Sequence, residues 1–352
     1  MRSILITGGA GYIGSHLCLI LLQKGFNVIV IDSYINSYSY FLKNLFNYHK
    51  KNFPKLNNIF KVFNGDLNNI NSLESVFSFA ASKGNEIIAV IHLAGLKSVV
   101  ESIKKPQLYW KNNVTGTINL VNMMNKYKCY SLIFSSSASV YGSSSKYKLE
   151  ESDLINPSNP YGETKVAVEK FLDDVQNSSG NIWRIAKLRY FNPVGAHQSG
   201  MIGEDPFGIP NNLFPFISQV AAGKLKKLKV YGSNWPTIDG TGVRDYVHVI
   251  DLADGHICAL NYLLNNKDRN FLKLNLGSGK GYSVLEVISA YSNVIGRSIP
   301  YEIVDRRKGD NAFSVADPTL AKDTLGWKTK KLLFDMCRDS WNWQKNNPQG
   351  YS

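Results

Sequence analysis

Three glycines recur at three-residue spacing in Thr7-Gly8-Gly9-Ala10-Gly11-Tyr12-Ile13-Gly14, between an apolar run and a helical pattern. Gly8 and Gly11 permit a tight turn and close approach of backbone to a pyrophosphate. Gly14 lets the helix pack onto the strand, and the helix N-terminus offers N–H groups and a positive dipole end. Asp32 closes the next apolar run at the spacing, about twenty residues, where a carboxylate accepts from adenosine ribose hydroxyls and repels a 2′-phosphate. Together these residues predict a dinucleotide site with NAD preferred over NADP. A second constellation is Ser137 with Tyr161 and Lys165. The last two stand four apart at the start of a helical pattern and so share one face. A free phenol, with a pKa of about 10, is a poor base at neutral pH. A neighbouring ammonium and a positive nicotinamide would both favour the phenolate, and Ser137, following a buried run, would present its hydroxyl to the same spot.

These residues need a scaffold that brings strand ends and helix starts together. Apolar runs at Ile4–Thr7, Val28–Ile31, Phe60–Phe63, Ala89–Leu93, Ser131–Phe134 and Ala186–Tyr190 alternate with helical patterns. The helices fall after Gly11 and over Asn71–Lys83, Trp110–Tyr127 and Tyr161–Asn177. Repeated βα alternation predicts an α/β fold, a doubly wound parallel sheet of the Rossmann type. From about residue 191 the texture changes to Gly, Pro and Asn loops with shorter elements at Phe214–Ala222, Leu228–Tyr231, Asp251–Leu264 and Val284–Ile295. The expected organisation is a dinucleotide-binding domain over 1–190 and a smaller α/β substrate domain over 191–352. The boundary is soft, since later segments can return to the first domain.

Composition narrows the class. Among 352 residues, 40 Lys plus Arg outweigh 27 Asp plus Glu, giving a net charge of +13. The basic residues are scattered and no nucleic-acid-binding signature accompanies them, so a solvated basic surface that attracts phosphate-bearing small molecules is expected rather than a nucleic-acid partner. Cys18, Cys129, Cys258 and Cys337 lie far apart with no Cys-x-x-Cys pair, which argues against a metal site or a disulfide framework. No apolar run approaches the roughly 20 residues of a membrane span. The strand-like opening leads straight into glycines without a charged leader. A cytoplasmic protein is expected.

Longer motifs carry a family resemblance. Gly8-x-x-Gly11-x-x-Gly14, Ser137 and Tyr161-x-x-x-Lys165 resemble the extended short-chain dehydrogenase/reductases. Ala94-Gly95-Leu96-Lys97, the run from Ser135 to Gly142, Leu188 to His197, Gly203-Glu204-Asp205-Pro206, Ile209 to Leu213, Asp239 to Tyr246, Gly309-Asp310 and Trp341-x-Trp343-Gln344 resemble the UDP-glucose 4-epimerase family. The resemblance spans nearly the whole chain. It implies NAD-dependent interconversion of UDP-galactose and UDP-glucose through a transient 4-keto sugar, with Tyr161, Lys165 and Ser137 catalytic. Cofactor contacts implied by it are Gly8, Gly11, Tyr12, Ile13, Gly14, Asp32, Asn36, Asp66, Leu67, Lys97, Asn113 and Phe191, besides Tyr161 and Lys165. Substrate contacts implied are Ser137, Asn192, Asn212, Tyr231, Arg244, Arg307, Asp310 and Ser314. Two arginines can clamp a diphosphate and Asp310 can accept from ribose hydroxyls. Ser314 falls where some members carry a tyrosine that narrows the sugar pocket, which implies room for the N-acetylhexosamines. A homodimer is the family expectation, and Val168, Phe171, Leu172 and Val175 form a helix face that serves either core or interface. The rivals are a reductase that releases its cofactor each cycle and a non-catalytic NAD-binding regulator. A 4,6-dehydratase is disfavoured because Ala138 and Ser139 stand where an Asp-Glu pair would be needed.

Overall fold

The computed structural model describes residues 2–351 except 145, 179, 181, 208–209, 211, 267–270 and 308–309. Ile209, Asn211 and Gly309 of the motifs above thus lie outside the described residues. In chain order the strands are β1 (Arg2–Thr7), β2 (Asn27–Asp32), β3 (Phe60–Asn64), β4 (Glu86–His92), β5 (Ser131–Ser137), β6 (Lys148–Leu149) and β7 (Arg184–Tyr190). There follow β8 (Asn192–Val194), β9 (Leu228–Tyr231), β10 (Val243–His248), β11 (Phe271–Leu276), β12 (Gly281–Ser283), β13 (Tyr301–Val304) and β14 (Phe313–Ala316). The helices that matter here are α1 (Tyr12–Gln23), α2 (Ser39–Asn52), α3 (Ile70–Ser82), α4 (Val99–Lys104), α5 (Pro106–Tyr109), α6 (Gly116–Lys126), α7 (Pro160–Ser178), α8 (Leu213–Ala221), α9 (Val249–Asn265) and α10 (Val284–Ile295). A π-helical stretch, Trp110–Thr115, joins α5 to α6.

Two compact units result. The first comprises Met1–Gly142, Ile155–Arg189 and His256–Leu274, and the second Ser143–Leu154, Tyr190–Gly255 and Asn275–Ser352. The first unit is built on a seven-stranded sheet of order β11-β7-β5-β4-β1-β2-β3. β1 pairs in parallel with β2 and with β4, and the pairs β2–β3 and β4–β5 are parallel as well. Ile4–Ile6, Val28–Val30 and Ala89–Ile91 are wholly buried, as strands covered on both faces must be. The strand order reverses between β1 and β4, and there Thr7 and His92 pair at the carboxyl ends, where ligands bind such sheets.

Val168 and Leu172 of α7 are buried in the first unit's core, with Phe171 and Val175 packed against it, so that helix face serves the core. Several elements depart from expectation, among them α2, β11 and the π-helical stretch. α2 and β11 form where the sequence analysis placed nothing. β11 is an edge strand whose Leu272, Lys273, Leu274 and Asn275 alternate in polarity, unlike the continuous apolar runs of β1, β2 and β4. The stretch expected as one regular helix over Trp110–Tyr127 carries the π pitch across its first six residues.

The second unit is organised around β10, which pairs in parallel with β8 and β14 and antiparallel with β12. β9 and β13 form a separate parallel pair. Its core gathers Phe214 and Ile217 of α8, Val287, Ile288 and Tyr291 of α10, and Met336 and Cys337. No helix among the described residues is long and apolar enough to cross a membrane.

Among the described residues, two ion pairs tie β7 to α7 inside the first unit, Lys187 with the more exposed Asp173 (2.7 Å) and the buried pair of Arg189 with Glu169. Arg189 donates from Nε to Glu169 Oε1 (2.9 Å) and from Nη2 to Oε2 (2.6 Å), a bidentate pair. Both residues are buried. Ser136 Oγ donates to the same carboxylate (2.5 Å), and Arg189 Nη1 reaches the Tyr141 hydroxyl (3.0 Å). These bonds hold the Glu169 carboxyl below its usual range despite burial, which pushes it up. Breaking such a pair leaves an uncompensated buried charge. Glu169→Leu alone is expected to lower unfolding stability by about 3–5 kcal/mol, and the double variant Glu169→Leu/Arg189→Met to recover most of that loss. Urea denaturation of the three proteins checks it.

Candidate active site

The glycine loop follows from backbone geometry. Gly8 sits at φ 73°, in the left-handed region, and a Cβ there would lie 2.7 Å from the Ala94 nitrogen. A Cβ on Gly14 would lie 2.2 Å from the Gly8 oxygen, so α1 can pack this close to the loop only with glycine there. Gly11 differs, because a Cβ there would meet only the Gly8 oxygen, at an ordinary 3.4 Å. The fold does not demand that glycine, and it leaves the room outside the loop that a pyrophosphate would take. Gly11 caps α1 without a side-chain bond, and the first turn, which includes Tyr12, Ile13 and Gly14, holds no acidic residue. Its positive dipole end is therefore uncompensated.

Asp32, at the end of β2, accepts from the Ala10 N–H (2.9 Å) through Oδ2. Through Oδ1 it accepts from the Tyr34 N–H (2.9 Å) and the Ser37 hydroxyl (3.0 Å). The carboxylate is thereby fixed against the glycine loop. Asn36 is exposed in the turn that follows. Asp66 lies just past β3 and is turned by Asn68, whose N–H donates to Oδ1 (2.8 Å), while Leu67 enters the core. Lys97 is exposed on the loop after β4. That loop is held at Leu96, whose N–H donates to Asn113 Oδ1 (2.8 Å) and whose carbonyl accepts from Asn113 Nδ2 (3.0 Å). Asn113 stands in the π-helical stretch, and Nδ2 also donates to Thr164 Oγ1 (3.1 Å). Its amide is committed to these protein partners.

At the end of β5 and the start of α7 the structure brings Ser137, Tyr161 and Lys165 together. Ser137 stands close enough to lower the Tyr161 pKa, while its Oγ donates to Ser139 Oγ (3.0 Å) and accepts the Ser139 N–H (3.1 Å). Lys165 Nζ donates to the Ser135 carbonyl (2.7 Å). It lies 4.9 Å from the Phe134 ring centroid and 5.7 Å from that of Tyr161. Burial pulls the ammonium down to about 8, and Glu169, one turn further along α7, pulls it back up. Burial pushes the Tyr161 phenol above its ordinary value, and Ser137 offsets this only in part. A further positive charge beside the ring would favour the phenolate.

The second unit carries its own cluster. Arg307 Nε pairs with Asp310 Oδ2 (3.0 Å), and its guanidinium lies 4.5 Å from the Tyr231 ring centroid. Arg244 on β10 donates from Nη1 to the carbonyls of Val243 (2.9 Å) and Asn311 (2.8 Å). Burial lowers its pKa, Tyr246 and Asp310 raise it, and Arg307 lowers it, which places two guanidinium groups within electrostatic reach. Asp245 locks this region by accepting from Ser278 N–H (2.7 Å), Gly279 N–H (2.9 Å) and Ala316 N–H (3.1 Å). Asn192 donates to the Asp245 carbonyl (3.0 Å), and Phe191 is buried beside it in sequence. Asn212 precedes α8 and donates to Glu204 Oε1 (3.3 Å). Ser314 lies in register with Arg244 across β10 and β14. Adjacent strand residues point to opposite faces, and the Phe313 ring packs edge-on to Tyr147 at 5.2 Å, so it does not occupy the Ser314 side.

Comparisons with known proteins settle the family. The chain is 48% identical over 349 residues to the UDP-glucose 4-epimerase of Bacillus subtilis (strain 168), covering 99% of this chain and 98% of that one. The chain belongs to the UDP-glucose 4-epimerase family. It also matches the wider family described as GDP-mannose 4,6 dehydratase over residues 5–340. Among solved structures, that of UDP-glucose-4-epimerase from Stenotrophomonas maltophila with bound NAD and formylated UDP-arabinopyranose superposes with a TM-score of 0.91. It is 42% identical and covers 99% of both chains. The UDP-glucose 4-epimerase from Bifidobacterium longum in complex with NAD+ and UDP gives 0.89 at 43% identity, covering 100% of both.

Within this epimerase scaffold, several positioning residues escaped the sequence analysis. Glu169 extends the Tyr161–Lys165 face by another four residues, a spacing that was legible, whereas Arg189, Ser136 and Thr164 had no local signal. The Lys165 value is testable. Because the folded pKa lies below the unfolded one, charging this ammonium opposes folding, and stability rises with pH between about 8 and the ordinary lysine range. After reductive 13C-methylation, one lysine NMR signal is expected to titrate near 8 and to vanish in Lys165→Met. A lysine set titrating only in the ordinary range would refute it.

Proposed function

We propose that this chain is an NAD-dependent UDP-glucose 4-epimerase that interconverts UDP-galactose and UDP-glucose, with Tyr161, Ser137 and Lys165 as its catalytic residues. The observation that carries the reading is the cluster of half-buried Ser137 and Tyr161 with buried Lys165, in a chain whose full length aligns with epimerases. NAD is supported by Gly8, Gly11 and Gly14, by the uncompensated start of α1, and by the Asp32 carboxylate held against the loop. When bound, NAD would supply a reversible hydride acceptor, so that net oxidation is zero, and its positive nicotinamide would add a charge that favours the Tyr161 phenolate. Tyr161 takes the proton from the 4-hydroxyl, and Ser137 hydrogen-bonds the same oxygen. Lys165 supports the phenolate electrostatically. The 4-keto sugar turns about its diphosphate link, Tyr161 returns the proton on the other face, and the diphosphate stays clamped by Arg244 and Arg307.

A dehydratase reading, raised by the name of the wider family, lacks its acid because Ala138 and Ser139 follow Ser137. The dinucleotide and sugar domains are proposed to fall near residue 190. The protein is proposed to work as a cytoplasmic homodimer.

Two experiments test this function. Tyr161→Phe is expected to lose roughly 10²–10⁴-fold in kcat while retaining cofactor and UDP binding. Denaturing the purified wild type should release NAD; finding chiefly NADP, or no dinucleotide, would contradict the reading. For specificity, Ser314 lacks a phenol ring beside the hexose, which supports activity on UDP-N-acetylgalactosamine as well. Ser314→Tyr is expected to lower kcat/KM for the acetylated sugar while sparing UDP-galactose. Equal handling of both sugars by the variant would remove Ser314 from that role.

A further inference from the structure

We propose that His92 is a positioning residue: as its Nε2–H tautomer it carries a one-way hydrogen-bond chain from the end of β1 to the backbone carbonyl of Asn113 in the π-helical stretch, whose side-chain amide carries a second run of bonds to the backbone of Tyr161. The partners fix the direction. The Thr117 hydroxyl gives its proton to the Asn113 carbonyl (2.5 Å), so at 2.8 Å from His92 Nε2 it can only accept. Nε2 therefore carries a proton. At the other ring nitrogen, Thr7 Oγ1 lies 2.7 Å from Nδ1 and accepts the Ala94 N–H (3.2 Å), which leaves its own proton for Nδ1.

A second ring proton is strongly disfavoured. Burial and the nearby Lys165 ammonium of α7 push His92 down to about 3, and the Phe134 ring of β5 lies 5.8 Å from it. Beyond Thr117, the same Asn113 donates to Thr164 Oγ1 (3.1 Å), and Thr164 Oγ1 donates to the Tyr161 carbonyl (2.7 Å). Thr7, His92, Thr117 and Thr164 are all buried. The chain links the glycine-loop strand, the Lys97 loop and the first turn of α7. Its effect is on where Tyr161 stands, and a misplacement of about 1 Å in such a group can cost up to 10²-fold in rate. The inference rests on the functional reading above for what Tyr161 does.

The test has two arms. In 15N-histidine-labelled wild type at pH 5, His92 is expected to remain the Nε2–H tautomer, its signals assigned by their loss in His92→Phe. An Nδ1–H tautomer or an imidazolium at that pH would overturn the proposal. In kinetics, Thr117→Val, which deletes the relay hydroxyl at constant volume, is expected to lower kcat about tenfold with little change in KM. Thr117→Ser, which keeps the hydroxyl, should recover kcat to near wild type. Unchanged kcat in the valine variant, or no recovery in the serine variant, would also overturn it. Absence of epimerase turnover in the wild type would instead remove the functional reading, and the tautomer measurement would still decide the chain.

Discussion

A buried ammonium is the constraint on which the first unit's chemistry depends. Lys165 is 6% exposed, and a cation so placed persists only with partners that replace water. The Ser135 carbonyl supplies one, the Phe134 face another, and Glu169 a longer-range charge. Glu169 can do this only because Arg189 and Ser136 hold its carboxylate ionised. The order β5, α7, β7 is therefore also an electrostatic order: a carbonyl from one strand end, two charges from one helix face, and a buried guanidinium from the next strand. Disturbing any member alters the charge available beside Tyr161.

The same logic explains why the tyrosine is not activated in advance. Burial raises its pKa, and Ser137 beside it only moderates that rise. A further positive charge beside the ring would favour the phenolate. The second unit uses different physics. Arg307 is stacked on Tyr231 and paired with Asp310, and Arg244 is tied to two backbone carbonyls, so both guanidinium groups are held in set directions.

Much of this was legible in the residues alone. The glycine spacing, Asp32, and the Tyr161–Lys165 interval follow from local geometry, and the interior strands announce themselves as unbroken apolar runs. What stayed hidden depends on partners distant in sequence. The π pitch at Trp110–Thr115 leaves no compositional trace, yet it sets where Asn113 sits. β11 alternates because it lies at an edge, whereas α2 carries a stripe of Phe41, Leu42, Leu45 and His49 at helical spacing that was legible in the residues. The sign of the Tyr161 shift required burial, which neighbouring residue types do not reveal. Asn113 was legible as a site residue, but its commitment to Leu96 and Thr164 was not.

In the proposed reaction hydrogen leaves C4 and returns to the same carbon within one bound cycle. UDP-[4-2H]galactose turned over in ordinary water, without added dinucleotide, tests this most directly. UDP-glucose with deuterium retained at C4 is expected. Deuterium lost to solvent, or no conversion until NAD is supplied at each turnover, would contradict it.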